Sequence, residues 1–584
     1  METHDSGADG PRVPQRNFLA TVLSRSDHKT IGLRYLWLAL ASVFLGMILS
    51  LLMRLQYVWP AAHLPLFSQF GSAPDGYAAL TLLHGSLMIF MVLTTAPQAG
   101  FASCLLPVQI GARDLAFPKL SAAAFWVTMA SICGLVASFF LDLGTGIPVW
   151  IASVALFCAA SLVNSINLGV TVIDLRAKGM TLPRLPVTVW AWFINAILGM
   201  LIYSILLAAC VYLLADRFLD ARIFVVTEFS PAVPGSSPTV GSIAEWQRLF
   251  WFFAQAQVYV ALLPCFGLVT HLIATFARRP IWRQRAAVLA LCGLGILGFC
   301  IWGEHVFESG LNTGAPLLFS QLAAAIGLPA AILVVSWFGT LWGAKIRQTT
   351  SMLFALGFIS LFLSGGLSGL ILARHDLGVT PTRDDFVSGH FHLVMGVAAT
   401  FAMLGALFFW FPKMFGRHLD ERLGKTHFWL TFVGVYGVFM PMHWLGLMSH
   451  SGMAAGNPAV TLAKATFLQS LITISILFTT AAQTFFVANF VLSLRCGGVP
   501  AEANPWRATT LEWELPSPPE VAREVVVYRG AYDFRSVDDD GRATTEDFVP
   551  QYVPSALATF GRRNRSPQGR GQTAPHSPQP AGAE

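Results

Sequence analysis

FVSGHFHLVMGVAATFAMLGALFFWFP, residues 386–412, holds no charged side chain. It exceeds the roughly 20 apolar residues that a helix needs to cross a bilayer. Backbone N–H and C=O groups find no water in hydrocarbon, so a helix, which satisfies them within one segment, is the expected conformation. His390 and His392 lie two positions apart in it. At about 100° per residue their imidazoles leave the helix roughly 200° apart, on opposite sides. Such a pair does not hold one metal jointly. It suits two separate planar cofactors flanking the helix, and haem is the planar cofactor that takes axial imidazole. His84, His305, His390, His392 and His443 all sit in apolar spans. For any one of them alone, a hydrogen-bonded bundle histidine remains the simpler reading. His84, on the second span, would complete a bis-histidine site with one of the pair.

Working outward, comparable spans lie near 31–55, 77–106, 118–143, 148–173, 187–215, 245–276, 285–312, 316–342, 350–375, 427–450 and 463–495. The expected fold is an all-α integral membrane protein of about twelve transmembrane helices. Composition agrees: 55% of the 584 residues are hydrophobic and 12% charged, against roughly 25% charged in a soluble domain. Seventeen Trp and 45 Phe fit a bundle with aromatic belts. The net charge of +6 calls for no nucleic-acid partner. Lys and Arg concentrate in alternate loops, from Arg113 and Lys119 to Arg422 and Lys425, which places both termini in the cytoplasm. Seven of the eight Cys lie in apolar spans and none form a Cys-x-x-Cys pair, so they read as small core residues.

Residues 1–30 lack an apolar stretch and read as a cytoplasmic N-terminal tail rather than a cleaved signal. Residues 31–495 form the membrane domain. Residues 496–584 read as a polar cytoplasmic tail, disordered after about 562. No internal repeat favours a transporter of the inverted-repeat kind.

Five segments carry a resemblance. SDHKTIGLRYLWLAL (26–40), LLHGSLMIFMV (82–92), PVQIGARDLAFPKL (107–120), GHFHLVMG (389–396) and NPWRATTLEWELPSPP (504–519) are similar, in order, to subunit I of cytochrome c oxidase, of the haem-copper oxidase superfamily. The resemblance implies that fold, with the haems near the outer face. It makes His84 and His392 the axial ligands of a low-spin haem and His390 the proximal ligand of a high-spin haem. Phe391 would lie between the two haems, which are of type a or b. It implies a bacterial inner-membrane location, a subunit II-like electron-receiving partner, subunit III and cytochrome c as donor.

The second-metal site departs from that family. WFFAQAQVY (251–259) stands where the family carries His-Pro-Glu-Val-Tyr. Gln255 replaces a copper-ligand His, Gln257 replaces the proton-delivering Glu, and Tyr259 remains without the His to which the family's Tyr is linked. The family's His-His pair reads Glu304-His305. Two of three copper ligands are therefore changed, to amide and carboxylate donors that favour a harder metal such as iron, or none. Asp114, at the family's proton-uptake point, survives, followed by Ser103 and Ser121 where Asn is usual. The Lys and Thr of the second channel correspond to Leu333 and Ala330. Thr382-Arg383 stands for a His-Asp pair, and the haem-propionate Arg pair aligns near Ala454-Ala455.

The expected activity is that of a terminal reductase with little or no proton pumping. O2 is the substrate by overall resemblance. NO is the alternative by site chemistry, with a non-haem metal at Glu304, His305 and Gln255, and with Gln257 and Tyr259 beside it. A non-catalytic haem electron carrier or gas sensor, and a histidine-lined transporter, are the competing classes.

Overall fold

The computed structural model describes residues 26–58, 73–224, 243–303, 316–372, 385–450, 458–495, 499–518, 525–533, 536–537, 543–544 and 549–552. Their membrane part is helical. In chain order the helices are α1 (His28–Val58), α2 (Ala73–Ile110), α3 (Pro118–Ser138), α4 (Leu143–Asp174), α5 (Val187–Leu219) and α6 (Ile243–Ala277). They continue as α7 (Gln284–Cys300), α8 (Pro316–Leu341), α9 (Thr350–Leu372), α10 (Asp385–Phe415), α11 (Glu421–His450) and α12 (Pro458–Arg495). Eleven are long and apolar enough to span a membrane, and α7 is a shorter apolar helix. The expected span 285–312 is thus helical only as far as Cys300, and 304–315 lie outside the described residues. So do Glu304, His305, Thr382, Arg383, Ala454, Ala455, the tail before residue 26 and the stretch after 562.

Inner and outer helices separate by what they touch. The apolar length of α6 is buried throughout, and most of that of α10 and α2 is buried too. Outer helices turn Leu289, Ile296, Leu328 and Phe467 outward, each at least 65% exposed, the surface expected against lipid. Lipid is as apolar as leucine, so close packing and interhelical hydrogen bonds hold the bundle rather than expulsion of water. Tyr436 of α11 bonds Ser360 and Ser364 of α9 at 2.8 and 2.9 Å. Asn164 of α4 donates to Tyr35 of α1 at 2.9 Å.

Two inner helices change pitch. α2 is a π-helix over Leu87–Phe101, and α10 is one over His392–Val397. In α2, Pro97 brings no N–H to the ladder. The hydroxyls of Thr94 and Thr95 donate to the carbonyls five residues back, Ile89 and Phe90, at 2.8 Å. Such segments recur at functional sites, and the one in α10 begins on His392.

After α12 the described residues pack against the end of the bundle that holds Asp114. Glu512, Trp513, Ala531, Tyr532 and Gln551 are each at most 3% exposed. Val527 N–H donates to Lys178 O at 2.8 Å. The neighbouring Gly179 has φ +83°, and a Cβ there would lie 2.1 Å from Val527 O, so only glycine fits. Two short strands, β1 (Ser536–Val537) and β2 (Ala543–Thr544), pair antiparallel.

Candidate functional site

Three imidazoles share one arrangement. His84 of α2 donates from Nδ1 to Gly46 O of α1 at 2.9 Å. His392 of α10 donates from Nδ1 to Ser388 O, one turn back, at 2.7 Å. His390 donates from Nδ1 to Gly365 O of α9 at 3.0 Å. A backbone carbonyl only accepts, so in each neutral ring the proton sits on Nδ1 and Nε2 keeps its lone pair. Fixing the tautomer through Nδ1 is how proteins prepare a histidine for a metal.

The close approach at His84 depends on Gly46. A Cβ there would meet Met88 Sδ at 2.4 Å and force that side chain to move.

His84 and His392 line one apolar cavity of ≈ 660 Å³ between α1, α2, α10, α11 and α12. The size is that of a cofactor pocket. The ring of His392 stacks on Phe439 at 4.8 Å and 11°. Arg54, whose Nε donates to Thr473 at 2.9 Å, stands at one end of the cavity, and Phe415 and Phe490 stand at the other. His390 faces the other way, toward α9, where the Cβ of a residue other than Gly369 would lie 2.9 Å from its Cε1. The divergence expected from spacing is therefore present.

The altered residues on α6 separate as well. Gln257 is 3% exposed, and its amide is engaged at both ends. Nε2 donates to Thr94 of α2, and Oε1 accepts from Tyr203 of α5 at 3.4 Å. Gln257 thus belongs to the seam between α2, α5 and α6. Gln255, two positions earlier, leaves the helix from the opposite side and is half-buried. Tyr259 packs so closely on α7 that a Cβ at Gly298 would lie 2.3 Å from its ring. Whether these residues meet Glu304 and His305 falls outside the described residues.

Asp114 lies at the opposite end of the bundle from the histidines. Its Oδ1 accepts from His28 N–H at 3.2 Å and Leu115 N–H at 2.7 Å. Ser103 and Ser121 are buried behind it, and Ser121 Oγ has no hydrogen-bond partner among the described residues. Leu333 is fully buried on α8.

Two groups escaped the sequence reading. Ser368 of α9 lies 3.1 Å from His390 Nδ1, and its only trace in the sequence is the run Gly365-Gly366-Leu367-Ser368-Gly369. Glu512, quoted for resemblance alone, is the hub of a buried cluster. Its Oε1 accepts from Gln109 at 2.9 Å and Trp410 at 3.3 Å, and lies 3.8 Å from His271 Nε2. His271 Nδ1 bonds Tyr532 at 2.9 Å. Burial raises the Glu512 carboxyl above its ordinary pKa, against the hydrogen bond from Gln109.

Comparison with known proteins decides the family. The family model described as cytochrome c and quinol oxidase polypeptide I matches residues 30–497. The chain belongs to this family. It is 36% identical over 572 residues to the alternative cytochrome c oxidase subunit 1 of Bradyrhizobium diazoefficiens, covering 92% of this chain and 94% of that one. It is also 36% identical to cytochrome c oxidase subunit 1 of Synechocystis, over 87% of this chain and 91% of that one. A cryo-EM structure of a heme-copper terminal oxidase dimer superposes with a TM-score of 0.64 at 16% identity, covering 83% of this chain and 85% of that one, and shares the fold. The chain is therefore an oxidoreductase subunit of the haem-copper oxidase type, a family that carries haems and copper and works with subunit II and cytochrome c.

Proposed function

We propose that this subunit is the catalytic chain of a respiratory terminal reductase that receives electrons from cytochrome c through a subunit II-like partner, with subunit III alongside, and passes them to O2. One observation carries the reading. His84, His390 and His392 each commit Nδ1 to a backbone carbonyl and keep an Nε2 lone pair for a metal, whereas His443, fixed in the same way, has its Nε2 3.0 Å from Ser368 Oγ. His84 and His392 hold the low-spin haem across the shared cavity, and His390 holds the high-spin haem on the α9 side. Haem supplies electron transfer at the first position and gas binding at the second. Phe391, between the two histidines, is the apolar separator. The bacterial relatives support a plasma-membrane location, and the basic loops of this chain support both termini lying in the cytoplasm.

The cavity also bears on haem type. Its lining follows α1 from Leu33 to Arg54, 21 helical steps or about 32 Å at 1.5 Å each. That is longer than a porphyrin ring, and its Phe415 end is apolar. The fit favours a haem with a long hydrocarbon tail, as in type a, over type b.

Proton handling differs from that of the pumping members. Gln257 does not titrate, and both ends of its amide are occupied, so the route behind Asp114 ends on a group that neither takes nor gives a proton. Little or no pumping follows. At the second metal, Gln255 with Glu304 and His305 offers donors harder than Cu(I) prefers, which keeps NO reduction at a non-haem iron as the second reading.

The test is optical, elemental and catalytic analysis of the purified complex. The reading expects two haems, the low-spin one with an isoprenoid tail, O2 uptake driven by reduced cytochrome c, and few protons released per electron. NO consumption without O2 uptake would replace the substrate. Two haems with no turnover of either gas would make the chain an electron carrier or sensor. Absence of haem would end the proposal.

A further inference from the structure

His443 of α11 is an intramembrane histidine that neither haem uses. It is 7% exposed. Phe386 meets its ring edge-on at 5.0 Å, and Gly389 leaves it room, since a Cβ there would lie 2.7 Å from its Nδ1. So confined, its Nε2 lies 3.0 Å from Ser368 Oγ. Ser368 Oγ in turn lies 3.1 Å from His390 Nδ1 and 2.7 Å from Gly365 O.

The hydrogen-bond directions follow from the fixed acceptors. His443 Nδ1 lies 2.7 Å from Phe439 O, which only accepts. The neutral ring therefore carries its proton on Nδ1, and Nε2 is an acceptor. Ser368 has one hydroxyl proton and two acceptors within reach, Gly365 O at 2.7 Å and His443 Nε2 at 3.0 Å. When it turns to His443, the Ser368 lone pairs and the Gly365 carbonyl are both free to accept from His390 Nδ1–H. With no acceptor at position 443, the hydroxyl is left with Gly365 O alone and competes with His390 for that carbonyl.

We propose that His443 is a positioning residue for the proximal ligand His390, acting through the Ser368 hydroxyl to set how strongly His390 donates to the high-spin haem iron. The inference rests on His390 being the proximal ligand. A chain running from His390 N–H to Ser368 O–H to His443 Nε2 is polarised in one sense, so each bond strengthens the next. A stronger pull on Nδ1–H makes the ligating nitrogen more basic. Its bond to iron stiffens and the ferric state is favoured.

The experiment uses the purified holo-complex and reads the iron–histidine stretching band of the reduced high-spin haem by resonance Raman, beside its midpoint potential. Ser368→Ala and His443→Phe should each move the band to lower frequency and raise the potential. The double variant should move neither further, because the two residues act in series. Ser368→Thr, which keeps the hydroxyl, should restore the parent band. Additive shifts in the double variant overturn the relay, and an unmoved band in Ser368→Ala overturns it even if His443→Phe fails to assemble. A band that survives His390→Ala overturns the ligand assignment beneath it, and the relay with it.

Discussion

Replacing Gln257 by Glu tests the claim that an inert amide ends the route from Asp114. Position 257 needs one donor toward Thr94 and one acceptor for Tyr203. A neutral carboxylic acid supplies both in the same shape. The substitution should then cost less than about 1 kcal/mol, the net worth of a single hydrogen bond. An ionised carboxylate would lose the bond to Thr94 and bury an unpaired charge, a penalty of several kcal/mol. The acid must therefore enter protonated. Infrared difference spectroscopy of the purified protein should reveal a deuterium-sensitive carboxylic C=O stretch absent from the parent, with an unchanged haem spectrum and an unfolding temperature within a few degrees. Proton release per electron should rise, and adding Asp114→Asn should remove the gain. A Gln257→Glu protein that is ionised at neutral pH, or that fails to assemble, would refute the hydrogen-bond reading of the site.

Further expectations follow from the same contacts. Asp114→Asn in the parent background should leave turnover unchanged, because the route already stops at Gln257; a loss of O2 uptake would show protons still pass that way. His84→Leu should cost one haem of two and abolish the low-spin spectrum, while ligand binding at the other haem persists. Glu512→Ala strands the Gln109 and Trp410 donors at about 1–3 kcal/mol each, so thermal unfolding should fall and protease should cut the segment after α12 sooner. Glu512 holds its proton more tightly when folded. Its contribution is full below the ordinary carboxylate pKa of 4.5 and fades as pH rises through the raised value. Glu512→Gln should flatten that pH dependence in a denaturation series.

The sequence by itself determined the helical membrane fold, because hydrocarbon permits few backbone solutions and apolar runs record them directly. It also separated His390 from His392, since two steps along any helix reverse a side chain's direction. Local rules end there. Tertiary packing alone decided that Gly46 and Gly365 lend the carbonyls that orient His84 and His390, because a carbonyl acceptor carries no residue identity. It alone joined Glu512 to His271 and Ser368 to His443, partners distant in sequence whose hydrogen bonds exist only once separate helices and the chain after α12 have met.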